Sequence, residues 1–288
     1  MSDQLIRFVS EDSQFRAIAV ETTTLCETAR RLHGTDPTAT VALTRMTTGT
    51  ALLGGLLKGN QRLALAIEAN GPLQKLHAET DAYGHIRSSV KNPLADLPPR
   101  DDNFDVANAV GQAGFLTVIK DLGLKEPYRG MVQLQTSEIG DDIAYYLTTS
   151  EQVPSSVSLG VSLGPAAEVQ AAGGFLIQAL PGCSDAAIEE VENRIKGLPS
   201  ISALLKAGDS IEKILTEIFV GIPGRQPESI PLVFRCNCTQ SQVAGILQGL
   251  GQDELKAMQK ENKGVDITCE YCRQNYFFSP ADLSELIS

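Results

Sequence analysis

The sequence has little that would direct it to a membrane or to a nucleic acid. Its 288 residues contain no uninterrupted apolar run close to the roughly 18 residues that a membrane span needs. The first residues also lack the basic segment and apolar stretch of a secretory signal. The net charge is −11, whereas proteins that hold phosphate backbones present a basic face. We therefore expect a cytoplasmic globular protein without membrane or nucleic-acid partners.

Signatures of catalysis are also missing. The three histidines, His33, His77 and His85, belong to no Ser/His/Asp or Cys/His arrangement, and we interpret them as turn or surface residues. Residues 54–59 (Gly-Gly-Leu-Leu-Lys-Gly) superficially resemble a phosphate loop, but they lack its G-x-x-x-x-G-K-[ST] order and end a predicted helix instead of beginning one. Packing and helix termination explain them better. We expect no nucleotide site and no enzymatic activity.

Periodicity in the first 180 residues predicts an α+β fold with antiparallel strands. Thr24-x-x-Glu27 has the form of a capping box opening a helix that Gly34 ends, and 38–57 is predicted to be a buried helix. Asp141 or Asp142 is expected to cap a later helix. Loosely alternating residues 7–20 predict early strands, and a period of two over 63–90 predicts a meander. Four further strands are predicted after the Pro- and Asp-rich loop 92–105, at 115–120, 130–135, 157–163 and 175–179.

After Pro181 the sequence changes to consecutive amphipathic helices. One is predicted to begin at Ser184 or Asp185, and another at Asp209 with Glu212 three residues later. A span of this length has no obvious core of its own, so its apolar stripe must lie against another surface, as a permanent interface or as a detachable cover. We predict three parts: an N-terminal domain (1–180), a helical linker (181–231) and a small C-terminal domain (232–288).

Four cysteines in the C-terminal part form two close pairs, Cys236/Cys238 and Cys269/Cys272, separated by a 30-residue insert. This layout is typical of a tetrahedral structural zinc site with thiolate ligands, and four thiolates leave no position for a catalytic water. We therefore expect one Zn²⁺ in the reduced protein. A module this small cannot bury enough surface to fold unaided, so the metal is expected to hold it together.

The spacing leaves the role of the metal open. The site is either a permanent structural cross-link or a redox switch. The second option arises because thiolates that hold a metal are readily oxidised. A bridge between residues i and i+2 is possible but strained, while the C-x-x-C pair closes easily. Such tiny loops would restrain the unfolded chain very little. Cys26 is expected to be buried and inert, and Cys183 receives no role.

A zinc-ribbon module that binds nucleic acid or the ribosome is the alternative function. It would require a basic face, yet residues 232–288 carry five basic against seven acidic residues. The five basic residues are Arg235, Lys256, Lys260, Lys263 and Arg273. The acidic balance weighs against this alternative.

Several segments, taken together, resemble the 33-kDa chaperonin family of bacterial redox-regulated heat-shock holdases over essentially the whole chain. They are 54–59, 126–130 (Glu-Pro-Tyr-Arg-Gly), 150–155 (Ser-Glu-Gln-Val-Pro-Ser), 173–182 (Gly-Gly-Phe-Leu-Ile-Gln-Ala-Leu-Pro-Gly) and the cysteine quartet. The resemblance implies an N-terminal α+β domain, a helical linker and a zinc-binding redox switch. Asn237 departs from the pattern, since many relatives carry an acidic residue there, and the oxidation threshold is expected to differ accordingly.

The resemblance also implies a mechanism. The reduced, zinc-loaded form would be inactive, and oxidation would pair Cys236 with Cys238 and Cys269 with Cys272 while zinc is released. The switch and linker would unfold, homodimers would form, and unfolding client proteins would be held without ATP.

Overall fold

The computed structural model describes residues 3–98, 103–225, 227–260 and 263–287. Contacts between Cα atoms divide the chain into two compact units, Met1–Phe234 and Arg235–Ser288. Residues 99–102 of the predicted loop 92–105 lie outside the described residues. The residues predicted as a linker belong by their contacts to the first unit. Whether they separate from it in function stays a prediction.

The first unit contains two sheets and seven helices among its described residues. In chain order its elements are β1 (Gln4–Val9), β2 (Phe15–Glu21), α1 (Thr23–His33), α2 (Pro37–Gly54), β3 (Arg62–Ala69), β4 (Lys75–Asp81), β5 (His85–Val90), α3 (Val106–Val110), β6 (Gly114–Asp121), β7 (Tyr128–Gln133), α4 (Gly140–Thr149), β8 (Ser155–Leu163), β9 (Val169–Ala179), α5 (Asp185–Gly197), α6 (Ile201–Lys206), α7 (Ile211–Ile218), β10 (Glu228–Pro231) and β11 (Val233–Phe234). The α+β prediction is confirmed, and so are the meander β3–β5 and the strands β6 to β9.

The five-stranded sheet has the order β10-β1-β2-β9-β8, and all its pairs are antiparallel. Successive side chains of a strand point to opposite faces, and β2 shows the consequence. Phe15, Ala17 and Ala19 belong to one buried cluster, while Ile18 and Val20 belong to another. The sheet is therefore apolar on both faces and separates two cores.

The six-stranded sheet has the order β11-β5-β4-β3-β6-β7. All its pairs are antiparallel except β11 with β5, which is parallel. Helix α2 packs against β2, β8 and β9 of the first sheet and against β3, β4 and β5 of the second. A helix that contacts both sheets must be apolar or small on every side, which explains its Ala- and Thr-rich sequence. Its buried hydroxyls are satisfied locally, as in Thr47 donating to the Leu43 carbonyl at 2.7 Å.

Helices α5, α6 and α7 cover the other face of the five-stranded sheet. Val191, Ile201, Ile211, Ile214 and Ile218 are buried in one cluster with sheet residues such as Phe15 and Phe175. The predicted apolar stripe is thus present and packed. The ring of Phe219 stacks on that of Phe8, with centroids 4.4 Å apart.

Two short strands at the end of the first unit were not predicted. Strand β10 pairs with β1, and the Arg7 guanidinium reaches the Glu228 carboxylate at 2.9 Å. Strand β11 pairs with β5 through Val233 and Phe234, and Leu232 between the two strands donates its N–H to the Asp3 carbonyl at 3.0 Å. The chain just before the first cysteine pair therefore extends both sheets.

The second unit is small. Its elements are α8 (Gln240–Gly249), α9 (Gln252–Lys260), a hairpin of β12 (Val265–Thr268) with β13 (Asn275–Phe278), and α10 (Pro280–Ile287). Within the described part of this unit, the buried cluster consists of five residues: Val243, Leu247, Leu255, Phe278 and Leu283. Such a core is modest for independent stability.

The predicted start of α1 is wrong in its capping residues. The helix is capped not by Thr24 and Glu27 but by Asp3, whose carboxylate accepts from the backbone N–H of Thr24 at 3.0 Å and of Leu25 at 2.5 Å. Glu27 instead pairs with Arg30 and accepts from the Val169 N–H at 2.9 Å. The end at Gly34, in the left-handed region at φ +62°, is confirmed.

Other helix starts also differ from prediction. Helix α4 has Ile139 as its N-cap, and Asp142, in its first turn, accepts from the Ile139 N–H at 3.3 Å. Ser184 caps α5 as expected, whereas Ser210 replaces Asp209 as the cap of α7. The separate helix α6 was not predicted. In the described parts of the chain, no helix is both long and apolar enough to cross a membrane.

Candidate metal centre

The cysteines of the second unit lie in two short loops. Cys236 and Cys238 precede α8, whose N-cap Thr239 accepts from the Gln242 N–H, while the Gln242 side chain accepts from the Thr239 N–H at 3.1 Å. Cys269 and Cys272 lie in the turn that joins β12 to β13. The reciprocal cap fixes the first loop, and the hairpin fixes the second.

The four sulfur atoms converge. All the Sγ atoms lie within 4.8 Å of one another, and each side chain is half-buried. The Sγ of Cys236 is 3.7 Å from that of Cys269, and the Sγ of Cys238 is 3.3 Å from that of Cys272. Among the described residues, no other group of three or more His, Cys, Asp or Glu side chains has this property.

These separations fit a shared ion better than disulfides. Sulfurs about 2.3 Å from a tetrahedral Zn²⁺ lie about 3.8 Å apart, whereas a disulfide brings two sulfurs to about 2.05 Å. Four thiols are also the donor set that structural zinc sites use. The cluster is therefore compatible with one metal ion, while its occupancy and the disulfide pairing stay predictions.

Burial favours the protonated form of two of these thiols. It raises the pKa of Cys272 to about 12, and it also raises the pKa of Cys238. Since a thiol must lose its proton to coordinate a metal, ion binding to this cluster releases protons and weakens as the pH falls.

The turn at the second pair is tight. The N–H of Arg273 donates to the Cys269 carbonyl at 3.0 Å, and the N–H of Cys269 donates to the Gln274 carbonyl at 2.9 Å. Arg273 has φ +59°, in the left-handed region that favours glycine. No local pattern indicated this strained position, since arginine is not a typical turn residue.

Tyr276, which sequence analysis did not single out, is a neighbour of the cluster. Its hydroxyl lies 3.1 Å from the Sγ of Cys238 and 3.0 Å from the carbonyl oxygen of the same residue. This hydrogen bonding to Cys238 raises the pKa of Tyr276 to about 12, so the hydroxyl keeps its proton and acts as a donor.

The two remaining cysteines lie in the first unit, outside the cluster. Cys26 is buried in α1, as predicted, with its Sγ 3.9 Å from the Thr44 carbonyl oxygen. Burial raises its pKa to about 12, which suits an unreactive thiol. Cys183 is half-buried before α5.

The histidines form no site with cysteines among the described residues. The prediction of a turn or surface position is wrong for His33, which is buried with its Nε2 3.1 Å from the Ser88 carbonyl oxygen. His85 lies at the start of β5, with its Nδ1 2.8 Å from the Asp81 carboxylate.

Residues 54–59 end α2, as predicted, and serve packing. A Cβ on Gly54 would lie 2.9 Å from the Thr80 side chain, and one on Gly55 would lie 2.5 Å from the Ile18 side chain. These close approaches account for both glycines without a ligand.

Known proteins resemble the chain over its full length. A sequence model of the family described as Hsp33 protein matches residues 3–279. A 33 kDa chaperonin of Syntrophotalea carbinolica is 53% identical over 288 residues, covering 100% of both chains. One from Desulfotalea psychrophila is 45% identical over 100% of this chain and 98% of its own.

A solved structure agrees with these sequence matches. The crystal structure of a 33 kDa chaperonin (heat shock protein 33 homolog) from Thermotoga maritima superposes with a TM-score of 0.92 at 34% identity. The alignment covers 100% of this chain and 98% of that one. With matches of this extent in both sequence and structure, the chain belongs to the Hsp33 family, whose members are the 33 kDa chaperonins.

Proposed function

We propose that this protein is a redox-regulated, ATP-independent chaperone that holds unfolding client proteins when oxidised and is inactive when reduced. The observation that carries the proposal is the convergence of four thiols in a unit whose described core has only five buried residues. The family, with relatives named as chaperonins, supports the chaperone part.

In the reduced state we assign one Zn²⁺ to the cluster. Cys236, Cys238, Cys269 and Cys272 would each supply one thiolate. The ion would cross-link the loop before α8 to the turn between β12 and β13, and a structural zinc site supplies about 10–16 kcal/mol of apparent binding free energy. Burial of five core residues cannot supply a comparable free energy, so the folded structure of the second unit would depend on the cluster.

Oxidation would remove the ligands. With hydrogen peroxide as the oxidant, one thiolate attacks a peroxide oxygen, forming a sulfenic acid and releasing hydroxide. A second thiolate then attacks the sulfenic sulfur, and the disulfide forms as another hydroxide leaves. Two thiolates thus lose two electrons to one peroxide. Two such events would consume all four thiolates that could hold the ion, so none would remain to retain it.

The pairing determines what oxidation leaves behind. We propose bridges from Cys236 to Cys238 and from Cys269 to Cys272, in keeping with the spacing and the family resemblance. The cross pairs have the short sulfur separations of 3.7 and 3.3 Å, yet sulfurs around one ion are all near neighbours, so proximity does not select a pairing. Local bridges close tiny loops and stabilise little, whereas cross bridges would retain the link that the ion provided.

Activation would then uncover apolar surface. Cys236 follows directly after β10 and β11, which anchor the end of the linker on both sheets. Loss of order beyond Phe234 would leave these short strands as the C-terminal attachment of residues 181–231, beside the packing of α5 to α7 on the sheet. Release of α5 to α7 would expose the face of the five-stranded sheet that contains Phe15 and Phe175, and also the apolar stripe of the helices. Either surface suits an unfolding client.

The remaining parts of the proposal concern organisation and partners. We assign client binding and dimerisation to residues 1–180, stress sensing to 181–231 and the redox switch to 232–288. The active form would be a homodimer in the cytoplasm, where thiols stay reduced at rest. We include no catalytic activity and no nucleotide or membrane partner. We also include no nucleic-acid partner, in keeping with the net charge of −11.

The test compares zinc-loaded protein before and after hydrogen peroxide at mildly raised temperature. Zinc release is followed with a chromogenic chelator, and aggregation of a thermally unfolding test protein is followed by light scattering. We expect both zinc release and suppression of aggregation only after oxidation. If zinc leaves and aggregation is unchanged, the holdase function is wrong.

A control variant separates the cluster from the other thiols. Cys183→Ser alters a half-buried cysteine outside the cluster and should be activated like the parent. Peptide mapping of the oxidised protein identifies the bridges, and cross-paired cysteines would contradict the proposed pairing.

A further inference from the structure

Tyr276 combines an anchored ring with a hydroxyl directed at the cluster. It lies on β13 opposite Ile267 of β12, and both side chains pack against the core of the second unit. The hydroxyl is 3.1 Å from the Sγ of Cys238 and 3.0 Å from its carbonyl oxygen. Because the ring is fixed by strand pairing and packing, the donor is held in place before any metal binds.

The charge of an occupied cluster decides which acceptor the hydroxyl favours. Four thiolates around one divalent ion carry a net negative charge, and hydrogen bonds to ionised acceptors are roughly twice as strong as neutral ones. The Cys238 carbonyl is a neutral acceptor, so the sulfur is favoured when it is a ligand. Donors of this kind orient metal ligands and tune their affinity.

We propose that Tyr276 is a positioning residue that donates to the Cys238 thiolate, strengthens zinc binding and slows the oxidation of that sulfur. This inference rests on the proposed function, since it concerns the same cluster. A hydrogen bond withdraws electron density from the thiolate. Attack of the Cys238 sulfur on peroxide, which forms the sulfenic acid and releases hydroxide, therefore becomes slower. Tyr276 thereby raises the oxidant level at which the cluster opens.

The principal test is Tyr276→Phe in the full-length protein, which removes the hydroxyl and retains the ring. We expect zinc affinity, measured by chelator competition, to fall about tenfold. Zinc release in excess peroxide should be about two- to tenfold faster. Phe277→Leu is the matched control, because Phe277 is the next residue on the same strand and is exposed; it should change neither quantity.

A spectroscopic measurement distinguishes donation to sulfur from a structural role. Co²⁺ substituted into the cluster should give a sulfur-to-metal charge-transfer band. Loss of a donor raises the energy of the sulfur electrons, so Tyr276→Phe should move this band to longer wavelength. Weaker zinc binding with an unmoved band would mean that the hydroxyl serves the Cys238 carbonyl, and the proposal would be overturned. Unchanged affinity and release rate would overturn it as well.

A second modified form of the protein keeps the proposal testable if Tyr276→Phe does not fold. Replacement of all tyrosines by 3-fluorotyrosine makes the hydroxyl a stronger donor, and the band should move to shorter wavelength. An unmoved band would again contradict the proposal. Zinc release and client protection by the parent are measured separately, so failure here leaves the proposed function untouched.

Discussion

Gly84 lies so close to Pro231 that a Cβ on the glycine would be 2.2 Å from the Pro231 carbonyl oxygen. Gly84 has φ +83° in the turn between β4 and β5, and its own carbonyl accepts from the Val233 N–H at 3.0 Å. The turn thus holds residues 231–233, the segment in which the proposed linker ends at Pro231.

Gly84→Ala should detach this segment. The added methyl group meets backbone, which cannot move away without breaking the pairing of β10 or β11. We expect the free energy of unfolding to fall by about 1–3 kcal/mol more in Gly84→Ala than in Gly59→Ala. Gly59 is a matched control because it also has positive φ (+58°), yet a Cβ added there would have no atom within 4 Å. Hydrogen exchange at 228–234 and urea unfolding measure the difference, and equal losses in the two variants would contradict the argument.

Glu27 of α1 accepts a hydrogen bond from Val169 of β9, and Glu27→Gln should show that the stability contributed by this carboxylate depends on pH. The hydrogen bond from Arg30 lowers the pKa of Glu27 below its ordinary 4.5. A lowered folded-state pKa contributes stability above the unfolded-state pKa, and this contribution is lost as the pH falls. We expect Glu27→Gln to cost under about 1 kcal/mol at pH 7, since the pair is partly exposed. The difference from the parent should shrink as the pH is lowered through and below the ordinary Glu pKa of 4.5. A difference that is constant with pH in urea unfolding would refute this.

Arg273→Gly should stabilise the turn at the second cysteine pair. An L-residue in the left-handed region costs about 1–2 kcal/mol, and the greater freedom of glycine in the unfolded chain offsets part of the gain. We expect a net stabilisation of about 0.5–1 kcal/mol for the zinc-loaded second unit. Arg273→Ala is the control, because it removes the charge but keeps the strained φ. If both variants melt at the same temperature, loss of the arginine side chain explains the effect.

Removal of zinc by a strong chelator under reducing conditions should unfold the second unit and leave the core around α2 folded. The described core of the second unit is small, whereas the first unit has an extensive core around α2. Amide protection should disappear in β12, β13 and α8 and persist in α2. Cys269→Ser should act in the same direction. Retained protection in β12 and β13 after metal loss would show that the cluster is not what orders the unit.

The cysteine quartet and most strands were predictable because their signals are local. Paired cysteines predict by their spacing alone that the four sulfurs converge, and this convergence is observed. The alternation over 63–90 predicts strands independently of what they pack against. The cap of α1 was not predictable, because its carboxylate comes from Asp3, about twenty residues earlier in the chain. Strands β10 and β11 showed no pattern, since four and two residues are too few to show a period. Tyr276 became informative only when folding brought its hydroxyl to Cys238.

The two-sided packing of the five-stranded sheet bears on recovery after stress. Its inner side chains, such as Ile18 and Val20, share a core with α2, and this core does not include α5 to α7. In the proposed activation, the helical layer would therefore detach while the strands beneath keep their register. Once reductant and metal return, those strands would offer a preformed surface on which the helices re-form. Reversal of the proposed activation would then require rebuilding one layer, not refolding the molecule.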